Sequence, residues 1–217
     1  MVIGGGAVAE RKVRGLLESG GVVRVISPEI RPGLAALHKA GKIQWLARPY
    51  GEGDLAGAFL VFAATDNQKL QTRIAAQARA AGILVNVANS PADCGFQVPA
   101  VCRRGDLTLT VSTSGLSPAV AAMVRARLEK EFGPEYDLLL QLVSTVRDRI
   151  LQLDLSQDEK KKLFQKLLHP DIVGWIRDGR WKRLQAHCRH VLGKDFNFDS
   201  EFPTKSTPVD RPVGTAS

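Results

Sequence analysis

The sequence predicts an α/β fold in which a doubly wound parallel sheet is followed by an α-helical region. Three observations predict it. The first half holds short, nearly continuous apolar runs; alanine-, leucine- and arginine-rich stretches with helical spacing separate them; and the second half has helical patterns with no strand between them. Strands apolar on both faces and separated by helices imply a parallel sheet covered on both sides.

In chain order the apolar runs are Val22–Ile26, ended by Ser27-Pro28, then Ile43–Leu46, Leu60–Ala63, Ile83–Val87 and Leu107–Val111. Their β-branched content and turn-forming flanks mark them as strands. Ala9–Ser19 and Leu70–Ala81 supply helices between them, and the α/β domain is expected over residues 1–112. Ser117-Pro118 then opens a helix, with serine as N-cap and proline at the first helical position, and Gly133-Pro134 closes it. A second helix is expected from Glu135 to Leu153. A third starts at the capping-box sequence Ser156-Gln157-Asp158-Glu159 and stops before His169-Pro170, and a fourth covers Trp181 to Leu192. These helices make residues 113–200 a separate region. From 201 to 217 proline, threonine and serine dominate, and a disordered tail is expected.

The turn that opens the chain carries the chemistry. Gly4, Gly6 and Ala9 stand in the Gly-x-Gly-x-x-Gly/Ala pattern of a Rossmann-type dinucleotide site. The first glycine lets the backbone leave the strand sharply. The second, without a Cβ, lets a pyrophosphate approach backbone N–H groups, and the small third residue lets the helix lie close on the sheet. Partial positive charge at the helix N-terminus favours the phosphates. The next strand ends about 20 residues on, at Ser27-Pro28-Glu29, where a ribose-binding acid belongs. Glu29 is the candidate, and it leans the expectation towards NAD over NADP, with Arg31 the nearby arginine. Only Met1-Val2-Ile3 precede the glycines, so the first strand is expected to form but to be short; a start that lies upstream would account for this.

The 217 residues carry a formal net charge of +8, which admits nucleic acid, an acidic membrane surface or a polyanionic small molecule as partner. The dense run Lys160-Lys161-Lys162 has no interleaved aromatic residues and reads as a solvated helix face rather than a nucleic-acid platform. No apolar run is long enough to span a bilayer and no leader pattern is seen, so neither membrane nor nucleic acid is expected as a partner. Cys94, Cys102 and Cys188 lack metal-ligand spacing and read as reduced thiols of a cytoplasmic protein. On a helix His187 and His190 share a face while Cys188 turns away, so no metal site is expected there; His38 and His169 read as surface or packing residues.

Five segments resemble one family, the precorrin-2 dehydrogenases, including the first part of sirohaem synthase. They are Val2–Lys12, Ala63–Asn67, Val85–Pro91, Phe96–Ala100 and Val111–Pro118, in the family's order and spacing. The resemblance implies a homodimer with NAD on the Rossmann domain and helices that form the dimer and help build the tetrapyrrole site. It implies NAD-dependent oxidation of precorrin-2 to sirohydrochlorin, followed in some members by insertion of ferrous iron. The implied nucleotide contacts are Ala7, Val8, Pro28, Glu29, Thr65 and Asp66. A basic chain suits the polycarboxylate substrate, one carboxylate of which Thr113 and Ser114 can hold at the start of the Ser117 helix. Asn89 stands where much of the family has a catalytic aspartate. An amide neither takes up a proton near neutral pH nor offers iron an anionic ligand. Dehydrogenation is therefore expected to survive better than iron insertion, and Asp93 is a possible stand-in base. A bifunctional dehydrogenase and ferrochelatase remains open at this point, as does a non-catalytic NAD-sensing module.

Overall fold

The computed structural model describes residues 1–193 and Phe196; the tail expected over 201–217 lies outside the described residues. The chain divides into two compact units, one ending at Val98 and the other beginning at Pro99.

The first unit holds β1 (Val2–Ile3), α1 (Ala7–Glu18), β2 (Val23–Ile26), α2 (Pro32–Lys39), β3 (Ile43–Leu46), β4 (Leu60–Ala63), α3 (Gln68–Ala80) and β5 (Leu84–Val87). Its strands form one five-stranded sheet in the order β3-β2-β1-β4-β5, with every neighbouring pair parallel. Both faces are apolar because alternate residues face alternate helical layers. Val2, Val25, Ile43 and Phe62 pack with Ala9 and Val13 of α1 and Leu34 of α2. Ile3, Ile26, Val61, Ala63, Val85 and Val87 pack with Ile74, Ala75 and Ala78 of α3. β1 is as short as expected, yet both of its residues are buried and it pairs with β2 on one side and β4 on the other. It thus sets the centre of the sheet, from which the glycine turn emerges.

The second unit begins with β6 (Ala100–Arg104) and β7 (Leu107–Val111), followed by α4 (Pro118–Glu131), α5 (Glu135–Gln152), α6 (Gln157–Leu167), α7 (Ile172–Arg177) and α8 (Trp181–Leu192). Here the structure corrects the expected boundary at 112. Leu107–Val111 does not extend the parallel sheet but pairs antiparallel with β6, in a sheet of two strands. The reason lies in its alternation: Leu107, Leu109 and Val111 are half-buried while Thr108 and Thr110 are exposed, which suits a one-sided antiparallel ribbon. The two-residue turn Gly105-Asp106, with Gly105 at φ +56°, closes the hairpin. The helical core is built on Leu142, Val146 and Ile150, one per turn of α5, packed with Leu167, Ile172, Ile176, Leu184 and Cys188. α7 adds a helix beyond the four expected. Pro170, Gly174 and Gly179 make its sequence read as a loop, but Ile172 and Ile176, four residues apart, bury one face.

Candidate functional site

A cleft of about 850 Å³ opens at the carboxyl ends of β1, β2, β4 and β5, the end where parallel α/β sheets place their ligands. Each glycine at its floor is required for a different reason. Gly4 has φ +122°, and a side chain there would collide with the Ala64 carbonyl oxygen at the end of β4. Gly5 is pressed against the loop after β2: its carbonyl accepts the Arg31 N–H at 3.0 Å, and a Cβ would overlap the Glu29 carbonyl oxygen. Gly6 is the open one. A Cβ there would meet nothing within 4 Å, so the space above it is free for a ligand. Gly6 also caps α1 with extended backbone and no side-chain hydrogen bond, which leaves the first-turn N–H groups directed at that space. Ala9, fully buried, holds α1 against the sheet.

Of the expected nucleotide contacts, Gly4, Gly6, Ala7, Val8, Pro28, Glu29, Thr65 and Asp66 all line this one cleft, and Asn89 lines it too. Glu29 is carried by a braced loop. The Ser27 hydroxyl donates to the Glu29 carbonyl at 2.6 Å, and the Trp45 indole N–H donates to the Ser27 carbonyl at 2.9 Å. On the other side of β1, Asn67 caps α3 by accepting the Leu70 N–H at 3.0 Å, and its own N–H donates to the Thr65 hydroxyl at 3.3 Å. Asn89 follows β5 at φ +62°, a left-handed conformation that asparagine tolerates better than most residues. The loop after it folds back under the strand: Gly95 N–H donates to the Val85 carbonyl at 2.7 Å, and the buried Asn86 amide donates to the Phe96 carbonyl at 3.0 Å.

Asp93 takes no part in lining the cleft. It accepts the Ser90 hydroxyl at 2.7 Å and pairs with Arg79 at 3.4 Å. The Ser90 hydrogen bond first, and Arg79 after it, hold its carboxyl below the usual range, which makes it a poorer base. Thr113 and Ser114 belong to the second unit, in the loop between β7 and α4. The Thr113 hydroxyl accepts the Ser117 N–H at 3.2 Å and donates to the Ser117 carbonyl at 3.1 Å, so it serves the helix cap. Ser114 has φ +52° and gives its N–H to the Ser112 hydroxyl at 3.2 Å.

Three histidines and one lysine of the Lys160–Lys162 run make packing or capping contacts. His169 stacks on Trp175, and His187 meets both rings edge-on. His38 packs edge-on against Trp45. Burial pushes the Cys188 thiol up to about 12. Lys160 donates to the Leu151 carbonyl at 3.0 Å, satisfying an open carbonyl near the end of α5. Among the described residues no group of three His, Cys, Asp or Glu side chains is placed to hold a metal. Sequence reasoning gave no role to Gly5, Ser27, Trp45 or Gln71. The unbroken run Gly4-Gly5-Gly6 was the signal for the first, whereas the others act through contacts that no local pattern encodes.

Residues 1–100 match the family model described as putative NAD(P)-binding, and residues 104–131 match that of the sirohaem biosynthesis protein central segment. The chain is 38% identical over 180 residues to a siroheme synthase of Ectopseudomonas mendocina, covering 83% of this chain and 38% of that one. It is 34% identical over 174 residues to siroheme synthase 1 of Aeromonas salmonicida, covering 80% and 37%. The chain thus spans well under half the length of these relatives. Among solved structures it is similar to SirC, a precorrin-2 dehydrogenase, with a TM-score of 0.73 and 25% identity, covering 88% of this chain and 92% of that one. The chain is thus homologous to part of the siroheme synthases and similar in fold to a precorrin-2 dehydrogenase, and its first hundred residues match the putative NAD(P)-binding family.

Proposed function

We propose that this protein is an oxidoreductase that oxidises precorrin-2 to sirohydrochlorin with NAD, in sirohaem and related tetrapyrrole biosynthesis. The observation that carries the proposal is the single cleft that gathers the open Gly6 turn, Glu29, Thr65-Asp66 and Asn89 at the ends of four neighbouring strands. The first turn of α1 holds the pyrophosphate on unpaired N–H groups. Glu29, on its braced loop, takes the adenosine ribose hydroxyls, and its negative charge disfavours a 2′-phosphate, which selects NAD over NADP. Bound NAD supplies the hydride acceptor. Asn89 hydrogen-bonds and orients the macrocycle without taking up a proton, and Thr113 and Ser114, at the start of α4, hold a substrate carboxylate.

Insertion of iron is weak or absent in this reading, because the Asn89 amide supplies neither a base nor an anionic ligand. The protein acts as a homodimer in the cytoplasm, without nucleic-acid or membrane partners. The dimer reading is supported by the exposed apolar residues Leu116, Val120 and Met123 at and after the start of α4. The reduced cysteines support the cytoplasmic location. No described helix is long and apolar enough to cross a membrane.

Incubation with precorrin-2 and NAD is expected to yield the sirohydrochlorin absorption spectrum; an unchanged spectrum refutes the activity. Ferrous iron added afterwards tests the second point. Asn89→Asp preserves the left-handed backbone, since aspartate shares that tolerance, and is expected to raise sirohaem formation above the spontaneous rate. Equal, substantial chelation by both proteins would show that iron insertion does not need the carboxylate.

A further inference from the structure

We propose that Gln71, a buried residue of α3 that does not line the cleft, is a positioning residue that aims the Asp66 backbone N–H at the nicotinamide-bearing half of the dinucleotide. The inference rests on the NAD reading of the cleft and assigns a contact within it. Gln71 is 6% exposed, and its side-chain amide donates to the Thr65 carbonyl. A buried polar amide in an otherwise apolar helix face is retained at a cost unless it is hydrogen-bonded, and here the bond is made to the loop that follows β4.

That bond fixes a direction. The Thr65–Asp66 peptide is trans, as are all peptide bonds among the described residues, so its C=O and N–H point opposite ways. With the carbonyl drawn inward to Gln71, the Asp66 N–H is turned outward, on a residue that lines the cleft. No hydrogen bond occupies that N–H among the described residues. The preceding residue cannot swing away to change this. Ala64 N–H is held by the Ile3 carbonyl at 2.8 Å, and its carbonyl is packed against Gly4 so closely that no Cβ fits between them. Asn67, the next residue, is held by the Thr65 hydroxyl and caps α3. The loop is therefore pinned before and after the Thr65–Asp66 peptide.

The sheet order says which part of the ligand this donor meets. Glu29 follows β2, on one side of β1, and Asp66 follows β4, on the other. With the pyrophosphate over the α1 start after β1 and the adenosine ribose at Glu29, the opposite half of the dinucleotide falls over β4 and β5, beside Asn89. The Asp66 N–H thus donates to an oxygen acceptor on the nicotinamide half.

Two measurements test this. In Gln71→Met, which keeps the volume but loses the donor, the calorimetric Kd for NAD is expected to rise about fivefold, the scale of one weakened neutral hydrogen bond. The Kd for AMP, which reaches only the Glu29 side, should stay unchanged. A merely structural role would weaken both ligands together, and that result, or no change in either, overturns the proposal. In the unaltered protein, which carries no risk of misfolding, the Asp66 amide ¹H–¹⁵N signal is expected to shift on addition of NAD and to stay in place on addition of AMP. A signal that ignores NAD overturns the proposal while leaving the cofactor reading intact. Failure of the unaltered protein to bind NAD at all overturns both.

Discussion

A methyl group on Gly5 would overlap the Glu29 carbonyl oxygen, whereas the same group on Gly6 would meet no atom within 4 Å. Adjacent glycines therefore have opposite reasons to be glycine. Gly5→Ala is expected to cost roughly 2 kcal/mol or more of stability, because backbone must move against backbone. Gly6→Ala, at φ −83°, is expected to change stability by less than about 0.5 kcal/mol. Its methyl group stands in the pyrophosphate's path, and NAD affinity should fall by about tenfold or more. Urea unfolding and calorimetric titration of the two variants separate the effects; equal loss of stability in both would contradict the assignment. The Gly-x-Gly-x-x-Ala pattern made Gly4, Gly6 and Ala9 readable from sequence. Gly5 has no place in that pattern, since its constraint comes from a loop more than twenty residues away in sequence.

Ion pairs brace a loop of the first unit and a helix pair of the second, and two substitutions test how firmly. Arg48 grips Asp54 through two hydrogen bonds of 2.7 and 2.6 Å in the loop between β3 and β4, and the Gly51 N–H adds a third at 2.7 Å. The Arg48 hydrogen bond, foremost, holds the Asp54 carboxyl at about 2. A depressed folded-state pKa adds stability above the unfolded value near 4 and loses it as pH falls towards 2. Asp54→Asn should therefore be less stable than the unaltered protein at neutral pH, with the gap closing between about pH 4 and pH 2. A gap that stays constant down to pH 2 would show that the carboxylate charge is not what stabilises the loop. In the second unit, Glu135 at the start of α5 accepts both the Nε and an Nη of Arg177 from the end of α7, at 2.9 and 2.6 Å. Glu135 is buried while Arg177 is half exposed. Glu135→Ala is expected to lower unfolding free energy by about 2 kcal/mol, between the values for surface and fully buried pairs. A loss below about 0.5 kcal/mol would show that α7 does not depend on the pair. The element-level reading from sequence was sound where periodicity was long, as in α1, α3 and α5. It missed β6, and it failed at β7 and α7. A five-residue run of alternating Leu and Thr was grouped with the parallel strands although its own alternation marks an antiparallel ribbon, and a six-residue helix with a glycine inside it offers too little periodicity to detect.

At the scale of the whole molecule, the first unit alone contains every expected nucleotide contact, and the second contains Thr113, Ser114 and the exposed apolar residues of α4. The proposed dimer predicts a mass near twice 23.6 kDa by sedimentation equilibrium, and Met123→Glu should shift it towards the monomer. A monomeric unaltered protein would contradict the proposed dimer. The substrate side was less readable than the nucleotide side. Phosphate recognition uses backbone at a fixed turn and leaves a fixed spacing in sequence, whereas a flexible polycarboxylate is met by dispersed side chains that leave none. In the proposed reaction, electrons from precorrin-2 pass to NAD on this cleft. The most direct measurement is a progress curve that follows sirohydrochlorin and reduced NAD together after precorrin-2 is added. The two are expected to rise in equal amounts, and both rates to fall sharply in Gly6→Ala. Sirohydrochlorin formed without matching NAD reduction, or equal rates in the two proteins, would contradict the proposed reaction.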